Sequence, residues 1–479
     1  MIPEFDTLDA TGLAALVASG GVTPGELLTE ALERVAARNP ALNAVVHLNE
    51  AAPRAMIAAG LPDAPLRGVP FLLKDLGAEA IDFPSHNGSR LLANTRYSYD
   101  SAIYTRLKAA GLVTFGRTTS PEGGIGAATE SAVYGGPTRN PWNLGHTSGG
   151  SSGGSGAAVA AGIVPIAHGS DGGGSVRIPA SSCGLFGFKA TRARFPDGPA
   201  SGEGWAGMSI DGYLTRSVRD TALLNDLTHG ADLGAPYYAP PLEKGFVASL
   251  DAPPKPLRIA VCETTLTGEP IHPECRAAVL DTAKLLESLG HHVTFARPQA
   301  DTRGMMLAWT KIVACGTALS VHKTLQSLGR DLRPDDIEGV SRGAIAYAAT
   351  VSGADYLDCT AKIHAYGREL AGFMEQHDIL LTATLSEPPA KVGRFSHDTE
   401  DYLAYRTGPA GIFAYSPFCA AFNASGQPAA SLPLHWTPES LPVGIHLAAR
   451  FGADEQLMSL CGSIEQAQPW FHRRPPAFA

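Results

Sequence analysis

Apolar residues recur with helical period at Leu27, Leu28, Ala31, Leu32 and Val35, directly after Thr23-Pro24-Gly25-Glu26. That tetrad is a capping box with proline at the first helical position, so the pattern predicts a helix. It is expected to end near Arg38-Asn39-Pro40, where proline disfavours continuation. Elsewhere apolar residues concentrate in short runs of four or five positions, which suit strands. These are Val69–Leu73, Leu112–Gly116, Ile163–Ala167, Leu257–Val261, His292–Phe295, Ile379–Thr382, Ala430–Leu434 and Val443–Leu447. Helical patterns separate several of them, around 101–110, 155–163, 272–289 and across most of 302–375. Alternation of this kind predicts an α/β fold, with helices on both faces of a large sheet.

Turns and irregular stretches complete the outline. Residues 194–207 (RFPDGPASGEGWAG) read as a long loop, and the Pro-rich stretch 236–256 as a linker or surface excursion. No internal repeat is visible. The chain has 479 residues, with 44% hydrophobic and 17% charged. That suits a sizeable globular core; length alone suggests two or three domains, though large single α/β domains reach this size. Net charge is −9 without any Lys/Arg run, which argues against direct nucleic-acid binding. The acidic N-terminus lacks the positive start of a signal peptide, and no apolar run approaches ~20 residues, so no membrane association is expected. Seven scattered cysteines fit reduced thiols in a cytoplasmic protein, and no CxxC or HExxH supports a metal.

The chemistry concentrates between Gly149 and Ser181, a stretch dense in glycine and serine without Lys, Glu or Cys. Gly149–Gly153 matches the G-x-S-x-G nucleophile elbow, but residues 140–147 before it read as a loop and not the required strand. Gly202–Gly207 matches G-x-G-x-x-G after a loop, so a dinucleotide site is set aside. A serine hydroxyl needs a base and donors aimed at the oxyanion it creates. Gly172-Gly173-Gly174 directly before Ser175 can turn bare amides toward a carbonyl, which favours Ser175 as nucleophile. A helix-capping turn reads the same locally. His146 and His168 lie nearby, neither in a triad-like setting. Lys74 ends the apolar run Phe71-Leu72-Leu73 and becomes a base candidate if burial lowers its pKa.

These clusters resemble the amidase signature family of serine hydrolases. The resemblance rests on Gly68–Leu76 (GVPFLLKDL), Gly149–Ser155 (GGSSGGS), Gly169–Ala180 (GSDGGGSVRIPA) and Gly184–Lys189 (GLFGFK). Thr138–Trp142 and Gly426–Leu434 support it, and it covers almost the whole chain. It implies one amidase signature domain over 1–479, with a signature core at about 65–215 and a large, mixed, mostly parallel twisted sheet. It further implies Lys74 as catalytic lysine, Ser151 as a bridging serine after a cis peptide bond, and Ser175 as nucleophile. Amides of Gly172, Gly173, Gly174, with Ser175 as a further candidate, would hold the oxyanion. Asp171 and Arg177 are expected to form a structural ion pair, and Ser152 and Ser155 to bond backbone or relay groups. Two positions depart from the usual pattern. Gly172 stands where Thr, Val or Ile is common, loosening the oxyanion loop or widening access, and Ala190 stands where Pro is common.

The family spans small-amide, peptide, fatty-acid-amide and lactam-oligomer hydrolases, urethanases and an amidotransferase subunit. This chain looks most like the cyclic 6-aminohexanoate dimer hydrolase, aryl acylamidase and urethanase-like branch. That likeness implies a small uncharged apolar or aryl amide, carbamate or nylon-type oligomer as substrate, no cofactor or metal, and a monomer or homodimer. It places Cys315 at the pocket, within a substrate region at about 300–425. Met305, Met306, Trp309, Tyr402, Tyr405, Ile412, Phe413 and Tyr415 are wall candidates or ordinary core. The other reading is a glutamine-dependent aminoacyl-tRNA amidotransferase A-type subunit working in a complex.

Overall fold

The computed structural model describes residues 2–478. Thr23 caps its helix as expected: its hydroxyl accepts from Glu26 N–H, and the Glu26 carboxylate accepts from Thr23 N–H. The helix spans Pro24–Leu42, however, and passes through Pro40. Proline in a last turn removes only one ladder bond. Asn39 holds that turn by accepting from Ala44 and Val45 N–H, and Asn43 ends it at φ 51°.

The eight apolar runs pair into one eleven-stranded sheet together with three strands the pattern did not mark, Val45–Val46, Phe186–Lys189 and Ile210–Thr215. Its order is Val45–Val46, Val113–Thr118, Pro70–Lys74, Ile166–Asp171, Ile210–Thr215, Phe186–Lys189, Ala429–Trp436, Pro442–Ala449, Ile379–Ala383, Arg258–Val261, His292–Phe295. The sheet is mixed and flanked by helices. Parallel pairing joins Val113–Thr118, Pro70–Lys74 and Ile166–Asp171 on one flank. It joins Ile379–Ala383, Arg258–Val261 and His292–Phe295 on the other. The strands between these groups pair antiparallel. The mostly parallel expectation therefore holds in the flanks, where helices link the strands, and not in the middle.

Two local expectations change. The strand expected at 163–167 begins at Ile166 and continues to Asp171. Pro165 has no N–H for a ladder, and antiparallel pairing with Ile210–Thr215 carries the polar end GSD. The stretch 140–147 is not all loop, because Asn143–Thr147 pairs with Arg139–Asn140 in a separate two-stranded sheet. Its sequence NLGHT lacks the apolar run that marks the other strands.

Residues 302–375 are helical as expected: Thr302–Leu328, Gly339–Ala348 and Gly353–Met374. Thr302–Leu328 is long and apolar enough by composition to cross a membrane, which corrects the reading that no such run exists. Here its first half is buried in the fold, with Trp309, Ile312 and Val313 in the core. Residues 236–256 hold only one turn of 3-10 helix, Ala248–Leu250.

Candidate active site

In open α/β sheets, clefts form outside the carboxyl ends of parallel strands. Pro70–Lys74 and Ile166–Asp171 are such neighbours, with Leu72 paired to Ala167. Extended by two residues, that register sets Lys74 opposite Gly169, next to Ser170, at their shared carboxyl end. A cleft of about 780 Å³ opens there, lined by Ser151, Ser170, Gly172, Ser175, Trp205 and Asp211, among others.

Lys74 is fully buried, and its Nζ lies 2.6 Å from Ser151 Oγ and 2.9 Å from Ser170 Oγ. Burial pulls its pKa from 10.5 down to about 7, against the opposing charges of Asp171 and Asp211. Lys74 therefore holds a substantial neutral fraction near neutral pH. Two contacts fix its backbone. Buried Arg117 donates to the Lys74 carbonyl, and Lys74 N–H donates to His168 Nδ1 at 3.4 Å. The other His168 nitrogen, Nε2, then carries the proton and donates to Asp211 Oδ1 at 3.1 Å.

Ser151 follows a cis peptide bond from Gly150 and precedes the helix Gly153–Ala160. Ser152 Oγ accepts from Ser170 N–H and lies 3.3 Å from the Ser170 carbonyl oxygen, to which it donates. Ser155 Oγ donates to the His168 carbonyl. Both serines thus join the Gly149–Ser155 cluster to the strand that ends at Asp171. Ser175 is half-buried and faces the cleft. Among the described residues no hydrogen bond joins its hydroxyl to Ser151.

The loop between Asp171 and Arg177 is fixed from within. The Asp171 carboxylate accepts from Gly174 N–H (2.7 Å), Val176 N–H (3.2 Å) and both Nε and NH2 of Arg177 (2.9 and 2.8 Å). Burial pushes the Asp171 pKa up, but the Arg177 guanidinium overcomes it and holds it well below the usual carboxylate range. Arg177 also donates to the Cys419 carbonyl, Asn423 Oδ1 and His446 Nε2. This is the ion pair read from the sequence, extended by partners from the C-terminal segment.

That arrangement corrects the oxyanion expectation. Gly174 N–H is engaged by Asp171, so it is not a free donor. The amides of Gly172, Gly173 and Ser175 have no acceptor among the described residues. Gly174 is needed for its shape instead: it sits at φ 121°, and a Cβ there would come 2.5 Å from Cys419 Cβ. Gly172 does not widen access. The volume a side chain would take is filled by Trp205, whose Cζ3 lies 2.6 Å from where a Cβ would stand.

The substrate-wall candidates fare differently. Cys315, Ile412 and Phe413 do not line the cleft. Cys315 is half-buried, one helical residue before Gly316, which does line it; a one-residue step turns the side chain by ~100° to another face. Ile412 and Phe413 are buried, as are Met305, Trp309, Tyr402, Tyr405 and Tyr415, and all of these belong to the core. The rest of the cleft lining includes Gly316–Thr324 of the long helix, 196–205 and Leu76–Glu79. Sequence reasoning gave His168 no role and missed Ser170, Asp211 and Trp205. Ser170 had a signal: it sits at the end of the strand that delivers Asp171. Among the described residues no cluster of His, Cys, Asp or Glu is arranged to hold a metal ion.

This geometry agrees with the comparisons to known proteins. Residues 26–458 match the family model described as Amidase, and the chain belongs to that family, the amidase signature hydrolases. It is an enzyme that hydrolyses amides. It is 36% identical over 478 residues to a 6-aminohexanoate-cyclic-dimer hydrolase of Paenarthrobacter ureafaciens, covering 98% of this chain and 96% of that one. An acylamidase of Rhodococcus erythropolis is 32% identical, covering 98% and 97%. A solved structure of 6-aminohexanoate cyclic dimer hydrolase superposes with TM-score 0.93 at 34% identity, covering 100% of both chains.

Proposed function

We propose that this amidase works through an acyl-enzyme on Ser175, with Ser151 and Lys74 as its proton relay. One observation carries the proposal: a buried lysine, brought near neutral pKa, lies 2.6 Å from a serine that shares a cleft with Ser175. Neutral Lys74 takes the proton of Ser151, which takes that of Ser175. Ser175 Oγ then attacks the amide carbonyl, and the free amides of Gly172, Gly173 and Ser175 receive the oxyanion. The proton returns through Ser151 to the leaving nitrogen as the C–N bond breaks. Water attacks the acyl ester, loses its proton to the same relay and releases the acid. The Ser175–Ser151 contact is the link still open in the resting state; such contacts commonly tighten only when substrate binds.

The substrate class is a small uncharged apolar or aryl amide. Aryl carbamates and nylon-type oligomers extend it, because they need the same attack and oxyanion site. The relatives named for a cyclic amide dimer and for acylamide hydrolysis support this range. The test is a panel of anilides, cyclic and linear 6-aminohexanoate oligomers, aryl carbamates and glutamine, run on wild type, Ser175→Ala, Ser151→Ala and Lys74→Ala. Anilide turnover lost in all three variants is the expected result. Near-wild-type turnover in any variant would overturn the relay, and hydrolysis of glutamine alone would overturn the substrate class.

A further inference from the structure

The peptide unit between Gly172 and Gly173 is held in place by two tryptophans. Trp309 Nε1 donates to the Gly172 carbonyl at 3.0 Å. In a trans peptide the carbonyl of one residue and the N–H of the next point in opposite directions. Anchoring the Gly172 oxygen on Trp309 therefore turns Gly173 N–H away from the core indole. That N–H is one of the amides without an acceptor.

The anchor is itself rigid. Trp309 is buried, with Phe413 edge-on at 5.4 Å, Trp205 edge-on at 5.5 Å and the Arg406 guanidinium 4.9 Å above its ring. Trp205 closes the clamp from the cleft side. Its ring lies against Gly172, and Trp309 Cζ2 would stand 2.9 Å from a Cβ on Gly173. Trp205 and Ala206 have φ of 52° and 54°, a left-handed conformation that residues with a Cβ rarely adopt. Such strain persists where surrounding contacts hold it, often at functional sites.

Resting on the reading of Ser175 as nucleophile, we infer that Trp309 is a positioning residue for the reaction. Its indole N–H sets the Gly172–Gly173 peptide so that Gly173 N–H meets the oxyanion, and Trp205 seats the same peptide from the other side. Bare glycine at 172 and 173 is the condition for both indoles to approach.

The decisive variant is Trp309→Phe, which keeps an aromatic ring and removes the N–H. Loss of a whole oxyanion donor costs about 10²–10³ in kcat, so partial misalignment is expected to cost at least ~10-fold. KM on an anilide should stay within about threefold, because the ground-state carbonyl gains little from this amide. An aryl trifluoromethyl ketone, whose adduct on Ser175 carries an oxyanion, should bind more weakly by a factor similar to the kcat loss. The pH profile should not move, since Lys74 is untouched. Unchanged kcat, unchanged ketone affinity, or a loss carried by KM would overturn the inference.

Gly172→Ala tests the other side and guards against poor folding of the first variant. Its methyl meets Trp205, so kcat should fall at least ~10-fold with KM held, and Trp205→Ala, which removes the second indole, should lower kcat in the same way. Wild-type kcat in both variants would overturn the clamp. Labelling of wild-type Ser175 by phenylmethanesulfonyl fluoride, read by mass spectrometry, separates the two claims. No adduct on Ser175 would defeat the nucleophile assignment. An adduct with an indifferent Trp309→Phe would defeat this inference alone.

Discussion

The two walls of the cleft are built differently. The wall that carries Lys74, Ser151 and Ser175 is the sheet end and its buried loops, where Lys74, Asp171 and Arg177 are all 0% exposed. Most polar groups there have named partners, and the free ones are those assigned to chemistry. The other wall, called the facing wall below, includes the second half of a long helix, where Leu319 is 54% exposed and Ser320 and Lys323 are exposed. Contacts buried from water are strong and cannot be exchanged singly, whereas half-exposed ones can. Substitutions in the first wall should stop the reaction or unfold the site, and those in the second should only change preference.

Ser175→Ala puts the largest strain on that contrast. It should lower kcat on an anilide by at least ~10³-fold with an unchanged melting temperature. A fall of less than tenfold would erase the distinction between the walls. Next comes Arg177→Met, which leaves the Asp171 carboxylate buried without its cation. A destabilisation of ~3–5 kcal/mol in a denaturant titration is expected, with activity lost in parallel. A well-folded, active variant would show that the ion pair does not hold the loop.

Protonation sharpens the comparison further. In the proposed relay neutral Lys74 is the active form, so kcat/KM should rise with pH through a limb near about 7. Asp211 favours the charged lysine, so Asp211→Asn should move that limb to lower pH, by less than ~1 unit. A limb moving upward would contradict the sign. The stability term has the same origin. Native Lys74 binds fewer protons than the unfolded chain between about 7 and 10.5, so its contribution makes stability rise with pH across that window. The smallest effect belongs to Cys315→Ala, on a helix face outside the cleft, with kcat/KM expected within about twofold. A tenfold change would move that residue into the substrate wall.

The same contrast explains what the sequence made legible. Lys74 could be read because a cation at the end of Phe71-Leu72-Leu73 is anomalous in a buried strand. Ser175 could be proposed because three contiguous glycines precede it, whereas Ser151 came only with the family resemblance. Gly174 misled, since a run of three glycines does not say which amide is free. The spacing Asp171-Gly172-Gly173-Gly174 carried a cue, because an aspartate often accepts from backbone a few residues on. Trp309 was singled out only as a wall candidate: its partner Gly172 lies 137 residues away, and neither position is unusual alone. The facing wall stayed illegible because Gly316–Thr324 mixes small, polar and apolar residues without a catalytic type. Pro40 and Pro165 show the limit of local rules, since a last helical turn tolerates one proline and a strand begins just after the other.

Arg177 ties the loop that carries Ser175 to partners 242, 246 and 269 residues later in the chain. Ribosomes add roughly 5–20 residues per second, so ~10–50 s separate the emergence of Ser175 from that of its last brace. Throughout that interval the nascent chain carries its serine on an unbraced loop. Activity should therefore switch on late in synthesis, as one event, when the strand bearing His446 closes the sheet.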